Sequence, residues 1–369
     1  MELPKDQLWP ARTTHCSLER SSCQNRVTTA GAREPHSVST VKSRIPNFAT
    51  AVHLPHARLF GAEKLADSWR QPLNEPRWTN VFDHLRDDDP VLGLYVNRQA
   101  RALPWWIMKN HHVANIAVGE LPVVVTLCVM CSGAAAFRAE AGGRRLAFRV
   151  RGQYNSTILL DDMSTGSFWS PFTGVALAGA MRGATLERLP LSQCLWREWL
   201  AMHPSTLALY GEQALRGGHG SEESPGSPGI GPGFRASFLR PLDERLPHNT
   251  LVLGVEHGTM ARAYPLQTLA RIGLVVNDSL GGAEIVVRCR PATLQALAFH
   301  RRLGDRVLVF GYSEAGDVYD EQTRSVWNEM GEAVSGPLAG TQLAYVSSGI
   351  EEWYAFAAYH PNTEIFTGP

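Results

Sequence analysis

An internal repeat restricts the fold of this 369-residue chain more than any other feature of its sequence. Several short patterns of the first half return in the second half, in the same order and at a nearly constant spacing. Such repetition is typical of one structural unit used twice, so the sequence predicts two homologous halves. The matched patterns are 90–94 with 251–255, 100–104 with 261–265, 165–169 with 323–327, 179–183 with 336–340, and Trp196 with Trp353.

The local composition predicts where the halves begin and end. Residues 1–75 show little periodicity and are expected to form a poorly ordered extension before a first repeat over 76–212. A stretch rich in Gly, Pro and Ser predicts a flexible linker over 213–243, followed by a second repeat over 244–369. The content of 44% hydrophobic and 19% charged residues is that of an ordinary globular protein.

The charge and hydropathy of the chain argue against several classes of partner. The formal net charge is zero, so we expect no nucleic acid, whose binding proteins usually carry a basic excess. No apolar run reaches the roughly 20 residues of a membrane-spanning helix, so no transmembrane segment is expected. No signal peptide is visible near the start, and a soluble protein is expected. The sequence indicates neither a partner nor an oligomeric state.

Each copy is predicted to consist mainly of antiparallel hairpins covered by one or two helices. In the first copy, strands over 113–117 and 121–127 flank a glycine-containing turn. A helix is predicted over 192–203 with Ser192 as its N-cap, and Ile350, Trp353 and Phe356 repeat its apolar stripe. The predicted fold class is therefore α+β, dominated by β-structure, with two pseudo-symmetric halves.

The first copy carries a pair of cysteines that the second copy lacks. Cys128 and Cys131 are separated by two residues, and Arg290 and Thr293 occupy their positions in the second copy. Residues that a scaffold needs for folding are shared by both copies. A pair carried by one copy alone indicates either drift or function, which makes these cysteines the best candidate site.

The predicted hairpin brings histidines toward these cysteines. Its register places His111 opposite Cys128, with Cβ atoms about 5 Å apart, and a slip of one residue would bring His112 there instead. Cys131 is close enough in sequence to converge on the same point. An imidazole and two thiolates suit a copper, zinc or iron ion, so these four residues are candidate metal ligands.

Three interpretations of the cysteine pair stay open at this point. It could form a metal half-site with a histidine, a redox dithiol in which one thiolate attacks and the other resolves, or two inert buried thiols. The sequence predicts a metal-binding or thiol-redox protein with its site in the first repeat. The alternative is a non-catalytic binding or structural protein, and whether the chain is an enzyme stays open.

Three polar residues of the first copy are weaker candidates. Tyr154, Asn155 and Asp162 lie near the second predicted hairpin and could line the same cleft as Cys128, as contacts to a cofactor. A hydrolase built on them would need a nucleophile and a base at matching positions, and the sequence contains no such pair that we can identify.

These residues resemble the domain of unknown function 3179 family, which is uncharacterised and occurs mainly in bacteria and archaea. The resemblance covers about residues 88–367, hence both copies. A Trp-His-Glu stretch of the family corresponds to Asn110-His111-His112, which keeps one His, and a Tyr-Cys-Pro-x-Cys-Gly stretch corresponds to 127–132, which keeps both Cys. Closer matches are Tyr154-Asn155-Ser156, Phe168-Trp169-Ser170, Thr173-Gly174, Val276-Asn277-Asp278 and Gly336-Pro337-Leu338-Ala339-Gly340. The resemblance implies no established activity, and it would allow an exported protein because members often look exported.

Overall fold

The structure is a computed structural model that describes residues 52–61, 71–211, 235, 237–290, 293 and 295–368. Within these ranges, strands far outnumber helices and most of them are arranged in antiparallel sheets. The predicted β-dominated α+β class is confirmed.

Three short strands precede the first long hairpin: β1 (Arg58–Leu59), β2 (Leu73–Asn74) and β3 (Trp78–Thr79). The first half then contains β4 (Pro90–Val96), β5 (Gln99–Pro104), α1 (Trp105–His111), β6 (Val113–Val118), β7 (Leu121–Cys128), β8 (Gly133–Arg138), β9 (Glu140–Ala141), β10 (Arg144–Arg145), β11 (Phe148–Tyr154), β12 (Thr157–Asp162), β13 (Phe168–Trp169), β14 (Ala176–Ala178), β15 (Arg188–Leu189), β16 (Leu191–Leu195), α2 (Trp196–Met202) and β17 (Leu207–Leu209).

The second half contains elements in a closely similar order. They are β18 (Leu251–His257), β19 (Met260–Pro265), α3 (Leu266–Ile272), β20 (Val275–Leu280), β21 (Ala283–Arg290), β22 (Gln295–His300), β23 (Arg302–Leu303), β24 (Arg306–Val307), β25 (Phe310–Tyr312), β26 (Val318–Asp320), β27 (Val326–Trp327), β28 (Ala333–Ser335), β29 (Tyr345–Val346), β30 (Ser348–Glu352), α4 (Trp353–Tyr359) and β31 (Glu364–Ile365).

The strands form six larger sheets and two short ribbons in the described ranges. In the first half the strand orders are β1-β11-β12-β13-β14, β15-β8-β7-β6-β2 and β16-β4-β5-β17-β3. In the second half they are β30-β18-β19-β31, β20-β21-β22-β29 and β25-β26-β27-β28. Parallel pairing joins β2 to β6, β5 to β17 and β19 to β31, and the ribbons are β9-β10 and β23-β24.

Two features of the predicted secondary structure are corrected. The sequence did not predict the hairpin of β4 and β5, whose turn residues Asn97 and Arg98 both have positive φ, as a two-residue type I′ turn requires. The helix expected over 192–203 begins only at Trp196. Ser192 lies in β16, where it pairs with Gly93 of β4. Residues 191–195 of this segment form a strand, and only the residues that follow form the helix.

The central strand β7 is buried on both faces and separates two hydrophobic cores. Val123, Val125 and Leu127 pack with α1 in one core, whereas Val124 and Cys128 face the other. This division follows from the two-residue period of a strand, because successive side chains point to opposite faces. Cys128 therefore points toward the core that contains Trp169 and Tyr354 of α4.

The closing strand of each half packs against the other half. Strand β16 of the first half contacts β22, and strand β30 of the second half contacts β8. Because β8 directly follows the Cys-x-x-Cys segment, this exchange brings residues of the second half to the cysteines of the first.

Parts of the predicted extension and linker fall outside the described residues, namely 1–51, 62–70, 212–234 and 236. Of the predicted extension, β1 pairs with β11 and β2 pairs with β6. Of the predicted linker, residues 237–243 are described, and the Asn155 backbone N–H donates to the Ser237 carbonyl at 2.8 Å. No helix within the described ranges is long and apolar enough to cross a membrane.

Candidate functional site

The Cys-x-x-Cys segment forms the turn between β7 and β8. Cys128 ends β7 and pairs with Gly133, the first residue of β8, so Cys131 lies within a four-residue loop. Ser132 takes up the positive φ of 55° that closes this loop. Both cysteines are unbridged and their side chains are at most 1% exposed. The hairpin therefore holds two reduced thiols together inside the core.

The environment of Cys128 favours its thiolate. A hydrogen bond from the Cys131 thiol lowers the pKa of Cys128 below its ordinary value, and backbone N–H groups of Ile158, Cys131 and Met130 act in the same direction. Burial opposes them without cancelling their effect. Hydrogen bonds of this kind stabilise the charged form of a thiol directly.

The environment of Cys131 favours its protonated thiol. Burial raises the pKa of Cys131 well above its ordinary value, and the hydrogen bond to Cys128 and the charges of Cys128 and Glu351 raise it further. Its Sγ lies 3.8 Å from the Cys128 carbonyl oxygen. The two thiols are therefore chemically unequal, and Cys128 is the more acidic of the two.

The second half supplies a buried acid beside this pair. The Glu352 backbone N–H donates to the Cys131 carbonyl oxygen at 2.8 Å, which joins β30 to the cysteine loop. The neighbouring Glu351 side chain is buried, and its Oε2 has no hydrogen-bond partner. Burial raises the pKa of Glu351 to about 8; Arg188 lowers it, while Glu256 and Cys128 add to the rise.

A group of charged side chains lies near Glu351. Arg188 pairs with Glu256 at 3.3 Å, and Glu256 also lies 3.6 Å from Nε2 of His360. Burial raises the pKa of Glu256, but His360 and Arg188 outweigh it and hold that pKa below the ordinary value. Glu256 is thus the ionised carboxylate of this group, and Glu351 is the one that retains its proton near neutral pH.

Aromatic side chains close the site. Phe172 and Tyr354 pack in the same core as the two cysteines, and Phe238 stacks on Tyr354 with ring centroids 5.9 Å apart. The Tyr359 hydroxyl lies 2.9 Å from Oγ1 of Thr157. Burial raises the pKa of both tyrosines, so they are neutral. On the outer side of Tyr354, a cleft of about 240 Å³ runs between α4 and residues 238–243.

The equivalent place in the second half contains an ion pair. Strand β21 ends at Arg290, opposite Gln295, as β7 ends at Cys128 opposite Gly133. Arg290 is hydrogen-bonded to the buried carboxylate of Glu329. A charged pair therefore occupies the position that the dithiol has in the first half.

The predicted histidine ligands lie in other surroundings. The hairpin register is as predicted, since Val113 pairs with Thr126 and the ladder runs on to the turn. However, His111 belongs to the last turn of α1 and is not a cross-strand neighbour of Cys128, and its Nδ1 lies 2.9 Å from the Gln71 carbonyl oxygen. His112 takes a left-handed conformation, with Nδ1 3.2 Å from the Leu127 carbonyl oxygen.

In the part of the chain that the structure describes, no three side chains of His, Cys, Asp or Glu form a group that could hold a metal ion. Metal ligation by the predicted residues stays a prediction.

The three polar candidates have different surroundings. Asn155 lies in the turn before β12, the strand whose Ile158 N–H bonds to Cys128, and its Nδ2 donates to the Ala358 carbonyl at 3.0 Å. Tyr154 precedes it as the last residue of β11 and pairs with Thr157. The Asp162 carboxylate is fully buried, and the Trp169 indole N–H and Thr165 donate to it. Asp162 therefore stabilises its own strand-turn segment.

Sequence reasoning missed Glu351, Arg188, Glu256 and Tyr354 as parts of the site. One signal was present for Glu351: the matching position of the first copy, two residues before Trp196, is Cys194. The carboxylate is therefore as specific to the second copy as the cysteines are to the first.

Comparison with known proteins identifies a family for both halves. A family model described as "Protein of unknown function (DUF3179)" matches residues 72–222 and 230–369. The two matched segments agree with the internal repeat. No curated protein and no solved structure matches the chain significantly.

Proposed function

The chain belongs to the DUF3179 family, and from that premise we propose that it is a thiol–disulfide redox protein whose reacting groups are Cys128 and Cys131. One observation carries the proposal: two unbridged thiols are buried together at one hairpin loop, where hydrogen bonding lowers the pKa of Cys128 and burial raises that of Cys131. Inert buried thiols differ, because burial alone raises their pKa, as it does to about 12 for Cys194 and Cys289.

The proposed reaction is exchange with a disulfide of another molecule. The Cys128 thiolate attacks one sulfur of that disulfide, a mixed disulfide forms, and the first partner thiolate leaves and takes a proton from water. Cys131 then loses its proton and attacks Sγ of Cys128, so that the intramolecular disulfide forms and the second partner thiolate leaves. The dithiol loses two electrons, and the partner disulfide is reduced to two thiols.

We also propose that the two halves are pseudo-symmetric copies. Support comes from the common order of two strands, a helix and three strands over 90–138 and 251–300, and from the reciprocal contacts of β16 with β22 and of β30 with β8. In such an arrangement the junction of the halves occurs twice, and one junction carries the dithiol while the other carries the Arg290–Glu329 pair. Superposition of the two halves in an experimental structure tests this arrangement.

Equilibration in glutathione redox buffers tests the redox function. Cys16 and Cys23 are first replaced by Ser, and the folded protein is alkylated, digested and analysed by peptide mass spectrometry. We expect a reversible Cys128–Cys131 disulfide with a reduction potential between about −300 and −120 mV, the range of exchange-active dithiols. Cys194→Ser is the matched control and should leave the potential unchanged.

The opposite result has a clear meaning. If Cys128 and Cys131 stay reduced in oxidised glutathione while the protein is folded, the redox proposal is wrong. The chain would then be a non-catalytic binding or structural protein with an inert cysteine pair.

A further inference from the structure

We propose that Glu351 is the proton acceptor for Cys131, so that the second repeat supplies the acid–base group for the dithiol of the first. This inference rests on the proposed redox function and adds to it a residue that the cysteine motif does not contain. It requires a carboxylate next to the cysteine loop, an oxygen free to receive a proton, and a means of passing that proton on.

The position of Glu351 is set by backbone contacts. The Glu352 N–H donates to the Cys131 carbonyl at 2.8 Å, so the residue before it is held at the cysteine loop. Gly133 makes this approach possible, because a Cβ there would lie 3.2 Å from the Glu351 Cβ and 2.3 Å from the Phe172 ring. Strand β30 and the cysteine hairpin are therefore closely packed around this carboxylate.

The carboxylate has a free oxygen. Among the buried carboxylate oxygens of the described residues, Oε2 of Glu351 is without a hydrogen-bond partner, although the side chain is only 4% exposed. A buried oxygen without a partner is costly, since its desolvation is uncompensated. Proton exchange with a neighbouring thiol would explain why this oxygen is buried without a partner.

The other acids and bases around the pair are engaged. Glu256 is paired with Arg188 and with His360. Burial raises the pKa of Tyr354, so its hydroxyl stays protonated and cannot accept a proton. The groups that face Glu351 are thus two thiols from the β7–β8 loop, Arg188 from β15 and Glu256 from β18, with Tyr354 from α4 beside the thiols.

The proton step follows the formation of the mixed disulfide. Attack by Cys128 consumes its thiolate charge, which is one of the contributions that keep the proton on Glu351. With that charge gone, Glu351 releases its proton to water, which offsets the proton that the first partner thiolate took on leaving. The resulting carboxylate takes the Cys131 proton, and the Cys131 thiolate attacks Cys128 Sγ and expels the second partner thiolate. Glu351 returns its proton to that leaving thiolate, so the step conserves protons and uses no further reactant.

Resolution of a glutathione mixed disulfide tests this role. Protein lacking Cys16 and Cys23 is mixed with oxidised glutathione, quenched with acid and analysed for Cys128–glutathione and for the Cys128–Cys131 disulfide. For Glu351→Gln we expect the mixed disulfide to accumulate and its resolution to slow by about 100-fold near neutral pH, the usual contribution of a positioned base. The wild-type rate should rise with pH and level off below pH 8, because the mixed disulfide lacks the Cys128 charge that raises the pKa of Glu351, and the variant should lack this inflection.

Controls separate the possible failures. Glu329→Gln changes a buried carboxylate at the other junction and should resolve at the wild-type rate, while Glu351→Asp should restore part of the rate.

If Glu351→Gln resolves with the wild-type rate and pH profile, Glu351 is not the acceptor and the redox function stands. If wild-type protein forms no Cys128–Cys131 disulfide, both proposals fail. If Glu351→Gln does not fold, the pH profile of Glu351→Asp decides, and an unshifted profile contradicts the proposal.

Discussion

The backbone N–H of Glu352 donates to the carbonyl oxygen of Cys131 at 2.8 Å, across the junction between the two halves. This bond links the strand that closes the second repeat to the loop that carries the cysteines of the first. The candidate site is therefore composite: one half provides the thiols, and the other provides the buried acid and aromatic side chains. Neither repeat alone contains both.

The unequal thiols predict a difference in their titration. Because hydrogen bonds from Cys131 and from backbone N–H groups lower the pKa of Cys128, its thiolate should appear below pH 9, while that of Cys194 should appear only near pH 12. Ultraviolet absorbance of the thiolate, recorded against pH for wild type and Cys128→Ser, measures the difference. Identical titration curves below pH 9 for the two proteins would contradict it, and Cys194→Ser serves as the control.

Metal analysis distinguishes redox chemistry from metal binding. We expect untagged protein, purified under reducing conditions without chelator, to contain no stoichiometric copper, zinc or iron, because a redox dithiol must stay free to react. Elemental mass spectrometry makes the measurement. Near-stoichiometric metal that is lost in Cys128→Ser would instead establish a metal site and remove the basis of the redox proposal.

The raised pKa of Glu351 predicts a pH-dependent stability. Its folded pKa of about 8 lies above the ordinary value of 4.5, so the folded state keeps a proton that the unfolded state has lost. The resulting stabilisation is complete below pH 4.5 and is lost as pH rises to 8. At about 1.4 kcal/mol per pH unit, this loss is on the order of 5 kcal/mol relative to Glu351→Gln.

Urea unfolding of wild type and Glu351→Gln at several pH values between 4 and 9 checks this prediction. The free energy of unfolding of wild type minus that of Glu351→Gln should fall steadily as pH rises. A difference that is constant across the range would mean that Glu351 titrates normally in the folded protein.

Two glycines with similarly close contacts allow an effect on stability to be distinguished from an effect on the geometry of the site. A Cβ at Gly133 would lie 2.3 Å from Phe172, and one at Gly254 would lie 2.2 Å from Phe356. We expect either Gly→Ala substitution to destabilise the fold by about 1–3 kcal/mol through overpacking. Only Gly133→Ala should also change the glutathione reactivity of Cys128, because it displaces the strand that carries Glu351. Equal reactivity in the two variants would contradict this assignment.

Asp162 is predicted to be a structural residue. Its carboxylate accepts from Thr165 and Trp169, as that of Asp320 accepts from Thr323 and Trp327. Asp162→Asn and Asp320→Asn should therefore each cost about 1.5–3 kcal/mol, the range for hydrogen bonds to a charged group. Thermal unfolding measures the loss. A selective effect of Asp162→Asn on thiol reactivity would place it in the redox site instead.

Local patterns were sufficient for much of the fold. The repeat, the β-dominated class and the register of the hairpin over 113–126 could be predicted, because strand periodicity and turn residues act over short stretches of chain. The predicted cross-strand pairing of His111 with Cys128 is absent from the ladder, also for a local reason. The helix α1 extends through His111 and keeps it out of the ladder that starts at Val113.

The sequence by itself determined that the chain has two copies of one unit and that only the first carries Cys128 and Cys131. Tertiary structure alone decided what surrounds those thiols. Glu351 is more than 200 positions away along the chain, and the contact of β30 with β8 brings it to the cysteine loop. Its proton affinity is a property of burial and of neighbouring charges, which arise from packing between the halves and leave no periodic pattern in either one.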